Sequence, residues 1–153
     1  MKFRNDEERA RFSALAGEYL ENERVREMDG FIQHGKTTTL SHCAAVAKEA
    51  FLLNERLRAH ADERELVRVA LLHDFYLYDW HESSGGHRLH GFRHPRTAAG
   101  NAKRYFDLTE RELRAIRTHM WPFTPFAIPT SRVAWLVCAA DKLCALRETI
   151  NRK

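Results

Sequence analysis

Four polar residues interrupt apolar helical stretches, and all four are of types that bind metal ions. His42 lies within Leu40-Ser41-His42-Cys43-Ala44-Ala45-Val46, His73 and Asp74 end Val69-Ala70-Leu71-Leu72, and Asp141 follows the all-apolar run from Trp135 to Ala140. Burying a neutral polar group without a partner costs about 2–7 kcal/mol, and a charge costs more. Taken singly, each is explained by a hydrogen-bonded core histidine or by an aspartate that caps or pairs. Taken together, two histidines and two aspartates on three helices are better explained by convergence on one cation. A divalent ion offsets carboxylate charge and gives imidazole nitrogens a strong partner. These donors suit a first-row transition metal, Fe, Mn, Co, Ni or Zn, and not a structural thiolate zinc site. Successive helical residues point about 100° apart. At a helix end His73 and Asp74 can still face one centre, with the second oxygen of Asp74 left for another ion or a water.

The elements that must position these residues read as helices. Asn5 and Glu8 cap a first helix to about Met28, ahead of Asp29-Gly30. A short segment, 31–35, leads to Thr37-Thr38-Thr39, which caps a helix from about Leu40 to Leu57. Asp62 and Glu65 open the helix that runs into His73-Asp74. Residues 79–93, DWHESSGGHRLHGFR, hold three glycines and no helical period, and read as a long loop of the kind that often carries function. Pro95 suits the first turn of the next helix, with Ala98, Ala99, Ala102 and Phe106 following at helical spacing. Thr109 to Glu112 is a capping box for a helix with Leu113, Ile116 and Met120, ended by Pro122 and Pro125. Ser131 opens the last helix, from Val133 to about Ile150. Its first half is apolar all round, which implies a central, buried position. No strand run is convincing. The expected architecture is an all-α bundle of about six helices forming one domain over residues 1–153, with an N-terminal helix (1–30) and a metal-binding core (31–147). The first helix offers its amphipathic face to its own domain or to a partner subunit alike.

Bulk properties narrow the function. The chain has 153 residues, 44% apolar and 30% charged, with a formal net charge of +4. That excess is scattered, without an arginine stripe, so nucleic acid is not an expected partner; a small anionic substrate fits better. Cys43, Cys138 and Cys144 form neither a C-x-x-C pair nor an even framework, and read as reduced, buried hydrophobes. The charged N-terminus lacks an apolar h-region, and no stretch nears the roughly 18 apolar residues of a membrane span. A cytoplasmic protein with no membrane partner is expected. The unusual count is nine histidines, six of them between His73 and His119.

The order His42, His73-Asp74, Asp141 resembles the H…HD…D signature of the HD-domain metal-dependent phosphohydrolases, and the apolar helix running into Asp141-Lys142-Leu143 is similar to theirs. The resemblance covers roughly residues 31–147. It implies a helical HD domain in which His42, His73, Asp74 and Asp141 hold one divalent metal. His94, before Pro95, and His119 are placed like the extra histidines of two-metal members such as the HD-GYP group. This implies a second ion held by His94 and His119 and bridged by Asp74; an N-cap and a helix-dipole partner are the plainer readings of those two histidines. The Gly-Tyr-Pro motif is missing, so cyclic di-GMP is not the expected substrate. The stretches LHD-x-x-LYDWH, HGF-x-HP and HMWP are similar to those of small stand-alone bacterial HD proteins.

The chemistry implied is hydrolysis of a phosphate ester of a small molecule, a nucleotide among the candidates, by a metal-activated hydroxide, with Asp74 central to catalysis. The chain shows no G-x-S-x-G and no Cys-His nucleophile arrangement. Lys36, Arg93 and Arg96 are candidate phosphate-binding groups, and a solvated surface explains each at least as well. Lys142 is a further cation near a proposed ligand, or a partner for a carboxylate. His34 and His90 are candidate site-lining residues, His90 and Arg93 as part of a lid formed by the 79–93 loop. The alternative function is a non-enzymatic module that uses the metal to bind a nucleotide or to regulate.

Overall fold

The computed structural model describes residues 1–78 and 90–150, apart from the side chains of His34 and His90. Side-chain caps set the starts of its helices. Asn5 accepts the Glu8 N–H at 2.8 Å and begins α1 (Asp6–Leu20). The expected continuation to Met28 does not occur. Asn22 accepts the Arg24 N–H and starts a separate short helix, α2 (Glu23–Arg26), followed by a 3₁₀ turn over Glu27–Gly30. An asparagine that bonds its own backbone competes with helix continuation, and here it wins.

The segment 31–38 forms a hairpin rather than an irregular link. β1 (Ile32–His34) pairs antiparallel with β2 (Thr37–Thr38), and Gly35 takes a φ of 62° in the turn between them. A left-handed residue costs glycine nothing. Strands this short carry too few residues for an alternating pattern to be read. Thr38 then caps α3 (Thr39–Leu57), and Asp62 caps α4 (Glu63–Leu72), as expected.

α5 (His90–Tyr105) starts more than a turn earlier than Pro95 implies. Pro95 sits in the second turn, where its missing N–H leaves the Gly91 carbonyl without its usual partner. His94 is therefore a residue within a helix and not an N-cap. Residues 79–89, most of the expected lid, lie outside the described residues. α6 (Glu110–Thr118) shows both halves of the Thr109–Glu112 capping box, and Ser131 Oγ accepts the Ala134 N–H at the start of α7 (Arg132–Ile150).

Among the described residues, seven α-helices, one 3₁₀ turn and one small hairpin make an all-α bundle. α3 lies between α4 and α7, α5 pairs with α6, and α1 covers α4. The core joins Val46, Ala47 and Phe51 of α3 to Leu66, Val69 and Ala70 of α4 and Val137 and Ala140 of α7. α7 is less central than its sequence implies. Its inner face is buried, but Trp135 is 43% exposed and stacks edge-on against Trp121 at 5.0 Å. All three cysteines are free and buried. Among the described residues no helix is long and apolar enough to cross a membrane.

A half-buried ion pair, alongside that of Arg111 with Glu65, ties α6 to α4. Glu112 Oε1 accepts Arg68 Nε at 2.7 Å, while its Oε2 accepts the Thr109 N–H at 2.7 Å. Glu112→Ala removes the cap and leaves Arg68 without its carboxylate. It is expected to cost about 2–3 kcal/mol, read as a lower urea midpoint with unchanged slope; an unchanged midpoint would refute this role.

Candidate metal centre

Five helices deliver six side chains to one buried point. His42 lies in the first turn of α3, and His73 and Asp74 follow the last residue of α4. His94 comes from α5, His119 is the C-cap of α6, and Asp141 lies midway along α7. All six are between 0% and 7% exposed. The helix ends matter here. With no further turn to satisfy, the backbone after Leu72 and Thr118 lets each imidazole fold back on its own helix. His73 Nδ1 donates to the Ala70 carbonyl at 2.7 Å, and His119 Nδ1 donates to the Ile116 carbonyl at 2.8 Å. Each Nε2 is thereby left with its lone pair facing the centre.

His42 is held between two carboxylates instead. Its Nδ1 lies 3.0 Å from both carboxylate oxygens of Glu148, and its Nε2 is 3.1 Å from Asp141 Oδ1. Asp141 Oδ1 is also 3.8 Å from His73 Nε2. Around Asp74, Oδ1 lies 3.1 Å from His94 Nε2 and 3.5 Å from His119 Nε2, and the two histidine Nε2 atoms are 3.0 Å apart. Asp74 Oδ2 is 3.5 Å from His73 Nε2 and accepts the Gln33 amide at 2.7 Å.

Three sets of ligand atoms each lie within 4.8 Å of one another: His42, His73 and Asp74; His73, His119 and Asp141; and Asp74, His94 and His119. The sets overlap, so the six residues form one continuous cluster. Two of its buried atoms, His73 Nε2 and Asp74 Oδ1, have no hydrogen-bond partner. Orphaned buried acceptors are rare and costly. A cation between them removes that cost, and an imidazole and carboxylate donor set fits a divalent transition ion. The residues present therefore fit a metal.

Burial alone raises the Asp74 carboxyl, but the His73, His94 and His119 imidazoles facing it hold it well below the usual carboxylate range. Asp141 is likewise kept ionised against burial, by the hydrogen bond from His42 and by the nearby His73 and Lys142. Burial works against a charged His42, yet the Asp141 and Glu148 carboxylates raise it to about 10. Burial pushes His119 down to about 3, so its imidazole is neutral. Without an ion, the site thus pairs its ionised carboxylates with protons on His42 and His73, while His119 is neutral; a divalent ion would take the place of those protons.

Every residue expected to ligate metal lies in this cluster. Three of the candidate substrate residues are not part of it. Lys36 is exposed in the hairpin turn, and Arg93 and Arg96 are exposed on α5. His34 lies on β1 and His90 opens α5, but their side chains lie outside the described residues. Lys142 is a carboxylate partner: its Nζ is 2.8 Å from Asp141 Oδ2 and 2.9 Å from the His119 carbonyl, tying α7 to the end of α6.

Glu148 and Gln33 are the two residues that sequence reasoning missed. Glu148 was legible, since it follows Asp141 by seven residues, two helical turns, and so shares its face. Gln33 was not, because its inward placement depends on the unrecognised hairpin. Glu148→Gln is expected to lower divalent-metal affinity about 10–100-fold, because an amide cannot fix the His42 tautomer as a carboxylate does. Titration calorimetry with Mn²⁺ checks this; wild-type affinity in the variant would refute it.

A helical bundle thus closes on a buried histidine and aspartate cluster compatible with a metal site. The family model for the HD domain matches residues 39–146. The chain belongs to the HD-domain family, within the superfamily of metal-dependent phosphohydrolases. No curated protein and no solved structure matches it.

Proposed function

We propose that this chain is a phosphohydrolase that cleaves a phosphate ester of a small molecule, a nucleotide among the candidates. His42, His73, Asp74 and Asp141 hold one divalent transition ion, and Asp74, His94 and His119 hold a second. The observation that carries this reading is the orphaned pair, His73 Nε2 and Asp74 Oδ1, within overlapping sets of ligand atoms. A bound divalent ion supplies positive charge that polarises a phosphoryl group and lowers the pKa of water.

The chain's own residues supply the rest. Ala70, Ile116 and Glu148 fix the three imidazole tautomers. Among the described residues, Asp74 is the one carboxylate that faces His73 as well as His94 and His119, and is the residue assigned to catalysis. Lys36, Arg93 and Arg96 bind substrate phosphate, and His34 and His90 line its approach. Arg93 and Arg96 flank His94 on α5, one helical turn apart, so the helix that carries a ligand also carries cations toward solvent.

The test is turnover of bis(p-nitrophenyl) phosphate, p-nitrophenyl phosphate and a nucleotide panel by protein loaded in turn with Mn²⁺, Fe²⁺, Co²⁺, Ni²⁺ and Zn²⁺. Metal-dependent release of phosphate or phenolate is expected and should vanish with chelator. Metal uptake with nucleotide binding but no turnover would instead identify a metal-containing binding or regulatory module.

A further inference from the structure

Asp74 is held from outside the cluster by a chain of polar side chains that begins on the hairpin. Gln33 is 7% exposed on β1, while its neighbour Ile32 is 38% exposed, the alternation that a strand imposes. The hairpin is closed onto α3 by the Thr39 N–H, which donates to the Phe31 carbonyl at 2.8 Å. Gln33 Nε2 lies 2.7 Å from Asp74 Oδ2, and Gln33 Oε1 is bonded to the Tyr76 hydroxyl. Thr39 Oγ1 stands 3.1 Å from that hydroxyl.

The direction of each bond follows from chemistry. An ionised carboxylate only accepts, so the amide nitrogen must face Asp74. The amide oxygen then faces Tyr76, whose hydroxyl must donate. Burial keeps that hydroxyl protonated. Both ends of the Gln33 amide are thus engaged, and the amide cannot flip without losing two hydrogen bonds.

We propose that Gln33 is a positioning residue that clamps Asp74 by Oδ2, with Tyr76 and Thr39 fixing the amide behind it, so that Oδ1 is the oxygen turned toward His94 and His119. The proposal rests on the metal reading of the cluster. A contrast within the site explains the choice of an amide. The outer oxygen of Asp141 is held by the Lys142 ammonium at 2.8 Å, which competes with an ion for carboxylate charge. Asp74 Oδ2, which also lies 3.5 Å from His73 Nε2, is held by a neutral group, which orients the carboxylate and leaves its charge intact. Asp74, placed between the two histidine pairs, is where full charge is needed most.

The experiment has two arms. In the metal-free protein, urea unfolding of wild type, Gln33→Met, Asp74→Ala and the double variant forms a double-mutant cycle; methionine keeps the volume of Gln33 without its hydrogen bonds. The losses are expected to be non-additive, with the double variant close to Asp74→Ala alone. In the second arm, Co²⁺ titration is followed by visible absorption. Gln33→Met should lower Co²⁺ affinity about 10–100-fold and change the d–d bands, a spectral signature that a purely structural residue would not move. Tyr76→Phe, which keeps the ring, should lower affinity about fivefold. Additive losses in the first arm, or a folded Gln33→Met protein with wild-type Co²⁺ affinity and spectrum, overturn the proposal. A wild type that takes up no Co²⁺ overturns the metal reading and with it the role toward the ion, while the metal-free cycle still decides whether the clamp exists.

Discussion

Asp74→Asn is expected to cut the metal-dependent hydrolytic rate by at least about a thousandfold while leaving the helical fold in place. The magnitude follows from the several kcal/mol of charge stabilisation that metal ions contribute to phosphoryl transfer, at a factor of ten per 1.36 kcal/mol. Asp74 is the residue whose loss touches the most partners, because its two oxygens lie within 3.5 Å of His73, His94 and His119. Asparagine preserves its shape and can still accept the Gln33 amide, so the hairpin remains docked. It removes the negative charge that the surrounding imidazoles hold in place, and offers an ion a far weaker ligand. Rates are compared on bis(p-nitrophenyl) phosphate at saturating Mn²⁺, with far-ultraviolet circular dichroism confirming the fold. Activity within tenfold of wild type would remove Asp74 from the catalytic role assigned to it.

The fold was legible where local signals were strong. Asp62, Thr109 and Ser131 each cap a helix where the sequence places one, because a side-chain oxygen three residues ahead of a free N–H is a purely local device. It was less legible where two local devices compete. Asn22 sits within a stretch of helix formers and still ends α1. Pro95 marks the start of a helix by its own geometry, yet α5 accommodates it in the second turn. For α7, an all-apolar stretch implies burial on every side, but Trp135 emerges to pack on Trp121, a partner 14 residues away in sequence that no periodicity announces.

The ligand cluster was legible for a different reason. Polar groups such as His42 and Asp141 are too costly inside apolar helices to be there without a shared purpose, so their types alone point to convergence. Residues that hold the ligands carry no such penalty at the level of sequence. Glu148 looks like one of many helix-surface glutamates until its seven-residue spacing from Asp141 is considered, and it falls beyond the stretch matched by the family model. Gln33 and Tyr76 become meaningful only after the hairpin folds the strand onto the end of α4.

Binding of a divalent ion should stabilise this protein strongly, because the ligands are assembled only in the folded state. They come from five helices spread between His42 and Asp141, so the unfolded chain offers no comparable site. With free ion at about a thousand times its dissociation constant, linkage predicts a gain of about 4 kcal/mol. For a chain of this size that corresponds to a rise in Tm of about 8–16 °C. The gain has a local origin: an ion supplies the partner that His73 Nε2 and Asp74 Oδ1 lack. Asp141→Ala should lose most of the rise, whereas Lys103→Ala, on the exposed face of α5, should keep it. The rise should also shrink in acid, since the ion must compete with protons for imidazole and carboxylate alike. Thermal scans with Mn²⁺ or Zn²⁺ against scans with chelator measure the difference. Identical midpoints in the two would mean that the buried histidines and aspartates satisfy one another without an ion, and that the cluster is a polar core and not a metal centre.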